Sequence, residues 1–156
     1  MPRQARLLLN NACYHVITRG NEKKAVFLSR EDFKEYVKLV LRYKERYKSK
    51  VYGWCLMPNH VHMVVESVNL VKFMHGINLS YAKYFRYKYK GVGHLWQDRY
   101  KSFVIQKDEY LINCISYIEY NPVRAKMVLR PENYVWSSYT SRILGNNEKL
   151  LDQFTF

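Results

Sequence analysis

The chain is 156 residues long and 48% hydrophobic, the length of one domain with enough apolar material for one core. Its 26 Lys and Arg outnumber 13 Asp and Glu, giving a net charge of +13 and a pI near 9.7, and such a surplus points to a polyanion or an anionic membrane surface as partner. No stretch approaches membrane-span length, and RLLL near the start is far too short for a signal segment, which argues against a membrane role and for a soluble, cytoplasmic protein.

Cys13, Cys55 and Cys114 are odd in number, far apart and without a C-x-x-C pair, as expected of buried thiols in a reducing compartment. Fifteen tyrosines accompany the charge, many alternating with Lys and Arg, as in RYKERYKSKVY (42–52) and SYAKYFRYKYKG (80–91). Cations for phosphates and flat rings for bases are the ingredients of single-stranded nucleic-acid binding. The same runs also read as helix faces with rings in the core and lysines in solvent. Over the whole chain, the surplus charge tips the balance toward nucleic acid.

Neither repeats nor a Pro- or Ser-rich linker interrupts the sequence, so a single domain over 1–145 with a loosely ordered tail over 146–156 is expected. ACYHVIT (12–18) is β-branched and aromatic and runs into the turn signal Arg19-Gly20-Asn21. Ser29 opens SRED, a helix-capping pattern, and Phe33, Val37, Val40 and Leu41 follow at helical spacing. VYGWCLM (51–57) and HVHMVVE (60–66) read as two strands joined at Pro58-Asn59. A second helix covers 70–89, GVGHLWQDR (91–99) is irregular, and YKSFVIQ (100–106) is a strand. Asp108 caps a third helix that breaks at Asn121-Pro122, PVRAKMV forms a short turn, and WSSY (136–139) caps a last helix. The order β, α, β, β, α, β, α predicts an α+β fold: a ferredoxin-like sandwich, an antiparallel sheet with helices packed on it.

His60 and His62 stand two apart on the third predicted strand, so they share one face with Cα atoms about 6.5 Å apart. That suits two imidazoles holding one cation, while Val61, Met63 and Val65 turn to the core. Alone, H-x-H reads more readily as two surface histidines hydrogen-bonding to neighbours, because two ligands do not make a site. Other chemistries built on this motif do not fit. Leu70 and Phe73 stand where a JAMM zinc protease needs Ser and Asp, and His62 is followed by Met63 and Val64 where a two-histidine phosphodiesterase needs H-x-T/S. The third helix offers Tyr117, a phenol able to attack phosphorus, and Asn121 one turn later, with a carbonyl oxygen for a hard metal. Asn121 also reads as a helix cap, and Tyr120 is a rival nucleophile on another side of the helix.

MPNHVHMVV, with YHVITRGNEK, GHLWQDRYKS, SYIEYNPVRAKMV and VWSSY, together spanning residues 12–139, resembles the REP-associated tyrosine transposases of the HUH single-tyrosine superfamily. The resemblance implies a ferredoxin-like fold and Mg2+- or Mn2+-dependent cleavage of single-stranded DNA. It puts the family's metal ligands on His60, His62 and Asn121 and its nucleophile on Tyr117. It also implies a covalent 5′-phosphotyrosine, a released 3′-OH, strand transfer without ATP, and recognition of hairpins, with relatives that include monomers and homodimers. One departure stands out: many members read YIHLNPVRA where this chain has YIEYNPVRA, adding Glu119 and Tyr120 beside the nucleophile.

Trp96, Gln97 and Arg99 suit stacking on and binding of displaced DNA, although Trp96 reads equally as a core anchor. Arg19 and Arg124 are candidate phosphate contacts, or local helix and turn charges. Two rival functions carry over from this reading: a replication initiator or relaxase, which often uses two tyrosines, and a non-catalytic hairpin-binding module.

Overall fold

The computed structural model describes residues 12–91, 93–106, 108–145 and 150–153. Strand β1 (Cys13–Arg19) leads to helix α1 (Arg30–Arg46), and the hairpin of β2 (Lys50–Met57) and β3 (His60–Glu66) leads to helix α2 (Leu70–Tyr89). Strand β4 (Lys101–Ile105) is followed by α3 (Glu109–Glu119), the single turn α4 (Asn121–Arg124) and α5 (Tyr139–Leu144). The strands pair in the order β2-β3-β1-β4, every neighbour antiparallel. This is the ferredoxin-like α+β arrangement the alternation of elements predicts.

The two faces of the sheet follow from the period of two along each strand. On one face Tyr14, Val16, Trp54, Leu56, Val61, Met63 and Val65 pack with Tyr36, Leu39, Val40, Phe73, Met74 and Ile77 of α1 and α2. Burying each large side chain there contributes about 1.5–3 kcal/mol. On the other face α3 crosses β2, and Leu111, Ile115 and Ile118 cover Cys13, Tyr52 and Val64. Gly53 permits that crossing, because a Cβ there would sit 3.2 Å from the Ile115 Cγ2 methyl. The cysteines are free thiols, Cys13 and Cys55 buried and Cys114 half-buried, as expected. No described helix is long and apolar enough to cross a membrane.

The edge of β2 is closed by later chain. Leu56 N donates to the Trp136 carbonyl at 2.8 Å and Ser138 N to the Trp54 carbonyl at 2.9 Å. Asp152 N donates to the Val51 carbonyl at 2.7 Å, Val51 N donates back to Asp152 Oδ2 at 2.8 Å, and Lys44 Nζ pairs with that carboxylate at 2.7 Å. Leu150 is buried beside them. Residues 150–152 are thus tied down where a loose tail is expected; 146–149 and 154–156 lie outside the described residues.

Much of the aromatic and basic sequence is structural. Tyr81 is fully buried, and Tyr43 packs on Gly76 and shares a hydrogen bond with Ser80 Oγ at 2.9 Å. At the start of α1 the fully buried Asp32 accepts hydrogen bonds from Leu28 N, Ser29 N, Tyr84 Oη, Lys88 Nζ and Tyr89 Oη. The SRED cap therefore has a second role, joining α1 to the far end of α2.

Candidate active site

The Pro58-Asn59 turn starts β3 so that His60 lies opposite Arg19 of β1 and Met57 of β2, while His62 lies opposite Ile17 and Cys55. Both imidazoles share the sheet face that α3 covers in part, with ring centroids 4.9 Å apart. His62 is buried and His60 half-buried. Burial, with the charge of Arg19 adding to it, pushes His60 down to about 4. Burial, then His60, His15, Arg19 and Arg124, pushes His62 down to about 3. Both rings are therefore neutral near pH 7, the state in which imidazole ligates a metal.

Each ring has a partner at Nδ1. His60 Nδ1 lies 2.7 Å from Asn59 Oδ1, and His62 Nδ1 lies 2.9 Å from Nε2 of His15 on β1. On its other side, His60 Nε2 lies 3.2 Å from the Asn121 side-chain amide. This contact brings Asn121 to the histidine pair across 61 residues of sequence.

The helix ends just ahead of the break expected at Asn121-Pro122. α3 stops at Glu119, Tyr120 has φ −90° and ψ 0°, and Asn121 opens α4. Pro122 cannot continue α3, since it lacks the N–H that would bond the Ile118 carbonyl and its ring would crowd that carbonyl, whereas it is tolerated at the start of α4. Tyr117 is 55% exposed on the last turn of α3, its phenol free of the core. Arg124 lies over the Tyr117 ring, its Cζ 3.9 Å from the centroid, and donates through Nη2 to the Tyr117 carbonyl at 2.5 Å. The guanidinium thus bridges the break and fixes the tyrosine.

The two residues that depart from the resembled pattern have clear places. Glu119 is buried, accepting from Ser138 Oγ and, at 3.1 Å, from Arg142 Nε, so it clamps α5 to α3. Burial raises its pKa, partly offset by Ser138 and Arg142. The Tyr120 ring packs edge-on against Tyr139, centroids 5.7 Å apart.

Among the described residues no three His, Cys, Asp or Glu side chains gather as a metal site. The donor set here is different: two neutral imidazoles and an amide. The Asn121 amide already faces the lone pair of His60 Nε2, and a half-turn about its Cβ–Cγ bond presents Oδ1 there. Two nitrogens and one oxygen fit a divalent ion that keeps positions open for phosphate oxygens and water.

Beside this site the loop over 93–99 is laced to the end of β1: Gln97 N donates to the Arg19 carbonyl at 2.9 Å and Asn21 N to the Leu95 carbonyl at 2.8 Å. Trp96 anchors it, donating Nε1–H to the Asn78 carbonyl at 3.0 Å with its ring against Tyr81 and Tyr36. Of the two readings of Trp96, the geometry favours the anchor. Arg19, Gln97 and Arg99 are exposed, and a groove of about 620 Å³ between the loop and α2 is lined in part by Arg86, Gln97 and Arg99.

A family model of IS200-like transposases matches residues 9–121. The chain belongs to that family. Among solved structures, a REP-associated tyrosine transposase bound to a REP hairpin superposes with a TM-score of 0.77 at 15% identity, covering 99% of this chain and 93% of that one. A Deinococcus radiodurans R1 protein assigned as a transposase gives a TM-score of 0.51 at 16% identity, covering 76% of this chain and 96% of that one. At these identities the likeness is one of fold. No curated protein sequence matches significantly.

In this IS200-like chain, sequence reasoning did not single out His15 or Asn59, although both lie inside stretches that carry the family pattern, YHVITRGNEK and MPNHVHMVV. Gly20, expected as part of the Arg19-Gly20-Asn21 turn, is also required by close packing. A Cβ there would lie 2.3 Å from the Lys24 carbonyl and 2.8 Å from Val26 Cγ1. Gly20→Ala is expected to lower stability by about 1–3 kcal/mol, the usual effect of overpacking, as read by the shift in a denaturant midpoint at unchanged slope.

Proposed function

We propose that this chain is a metal-dependent endonuclease and strand transferase for single-stranded and hairpin DNA, acting through a covalent 5′-phosphotyrosine on Tyr117. The observation that carries the proposal is the 3.2 Å approach of Asn121 to His60, which brings the end of α3, with its exposed phenol four residues earlier, to the histidine pair. Membership of a transposase family supports it, as does the fold shared with a protein that binds a REP hairpin. A charge of +13 suits the polyanion.

His60, His62 and Asn121 would hold the divalent ion, Mg2+ or Mn2+, which when bound polarises the scissile phosphate and offsets its developing charge. Arg124 holds the Tyr117 ring from one face. Tyr117 Oη forms its bond to phosphorus as the P–O3′ bond breaks; the phenol proton goes to solvent, and the departing oxygen takes a proton to become a 3′-hydroxyl. The phosphotyrosine keeps the energy of the phosphodiester, so a 3′-hydroxyl of another strand reverses the step without ATP. Arg19, Gln97 and Arg99 line the strand's path as phosphate and base contacts, with Trp96 holding their loop in place.

The test is a 3′-labelled hairpin oligonucleotide incubated with Mn2+. Wild type is expected to retain label through denaturing electrophoresis, and EDTA or His60→Ala to abolish that retention. Retention that survives both would sink the metal-dependent reading. Light scattering with and without the hairpin reads whether a homodimer forms.

A further inference from the structure

The two histidines are held differently from ordinary surface imidazoles. On the Asn59 side, Nδ2 donates to the Lys23 carbonyl at 3.3 Å, which turns Oδ1 toward His60 Nδ1 at 2.7 Å. An amide oxygen only accepts, so His60 Nδ1 carries the proton and Nε2 keeps its lone pair. That lone pair faces the Asn121 amide. On the other side, His15 Nε2 lies 2.9 Å from His62 Nδ1, and the two rings are stacked with centroids 5.2 Å apart. His15 is held between His62 and Phe103 of β4, which lies opposite it in register, with ring centroids 6.2 Å from Phe103. It reaches His62 on a diagonal between β1 and β3, because the residue directly opposite His62 is Ile17.

We propose that His15 and Asn59 are the positioning residues of the metal site, each accepting the Nδ1–H of one ligand histidine so that both present Nε2 to the same ion. In this arrangement His15 carries its own proton on Nδ1 and offers the Nε2 lone pair to His62. The effect is twofold. The hydrogen bonds stop each ring from turning about χ2, and they make each imidazole a better electron donor at Nε2. One device sits on β1 and the other in the Pro58-Asn59 turn ahead of β3, so the site depends on the β1–β3 register as well as on the H-x-H sequence.

This inference rests on the metal reading above, and paired amide substitutions separate the two. The amide of Gln extends as far as the Nε2 of His, while that of Asn stops at the position of Nδ1. His15→Gln is therefore expected to keep Mn2+ affinity near that of wild type, measured by isothermal titration of the full chain. His15→Asn, of similar polarity, is expected to weaken it by about 10–100-fold, the usual loss when an outer partner of a ligand histidine is removed. Asn59→Ala is expected to weaken it similarly, and the metal-free melting temperatures of the two His15 variants should agree. Wild-type affinity in His15→Asn, or equal weakening in His15→Gln and His15→Asn, overturns the positioning role while leaving the metal site standing. If His62→Ala binds Mn2+ as wild type does, the metal reading itself falls and the inference with it.

Discussion

Tyr117→Phe is expected to abolish the covalent protein–DNA adduct, a loss on the order of 10⁴-fold or more, as when the nucleophile of a covalent catalyst is removed. Phe keeps the ring over which Arg124 lies, at 3.9 Å, and changes only the hydroxyl, so folding and DNA binding should persist. Tyr120→Phe is the matched control and is expected to keep the adduct. Its ring is already packed edge-on against Tyr139, centroids 5.7 Å apart, so it is committed to the contact between α3 and α5. The position of the label adds polarity to the test. A 5′-phosphotyrosine retains the strand 3′ to the break, so a 3′ label stays with the protein and a 5′ label leaves with the free 3′-hydroxyl. An adduct that persists in Tyr117→Phe and vanishes in Tyr120→Phe would reassign the nucleophile and revive a two-tyrosine mechanism.

The hairpin that carries His60 and His62 was legible because its period of two and its Pro58-Asn59 turn are local signals. The bounds of α2 and the existence of α3 were legible for the same reason. Three things were not local. The break before Pro122 was expected, but the Arg124 guanidinium that spans it and lies over the Tyr117 ring was not. The His15–His62 contact depends on the pairing of strands 47 residues apart, where a slip of one residue would turn His15 to the opposite face. The fates of Trp96, Tyr84, Lys88 and Tyr89 depend on which acceptors tertiary packing brings to them. A run of alternating Tyr and Lys reads as a nucleic-acid surface or as a helix face, and the buried carboxylate of Asp32 decides for the second at Tyr84, Lys88 and Tyr89.

That carboxylate sets the second large effect. Asp32→Asn is expected to destabilise the fold by about 3 kcal/mol, since it weakens several hydrogen bonds to one buried carboxylate, each contributing about 1.5–3 kcal/mol. Five donors converge on the two oxygens of Asp32. An Asn has one oxygen, and its NH2 would face donors on the other side, leaving buried groups unpaired. Burial by itself raises the pKa of Asp32, but hydrogen bonds from Lys88, Tyr89, Leu28 N and Tyr84 outweigh it and bring it from 3.8 down to about 2. A lowered native pKa means the unfolded chain binds the proton more readily, so the stabilisation is complete above pH 4 and is lost as pH falls toward 2. The difference in denaturant stability between wild type and Asp32→Asn should therefore be constant near neutrality and shrink between pH 4 and pH 2, which isolates Asp32 from the other carboxylates. A difference below 1 kcal/mol at pH 7 would show that the network does not hold α1 to α2. The consequence reaches the active site through the backbone. Asp32 fixes Leu28 and Ser29, Val26 N donates to the Pro58 carbonyl at 2.8 Å, and Pro58 leads into Asn59 and His60. Tyr81 holds the same segment by donating to the Val26 carbonyl at 2.5 Å. Asp32→Asn should thus weaken Mn2+ binding at temperatures where the protein is still folded, because the turn that aims His60 has lost its backing.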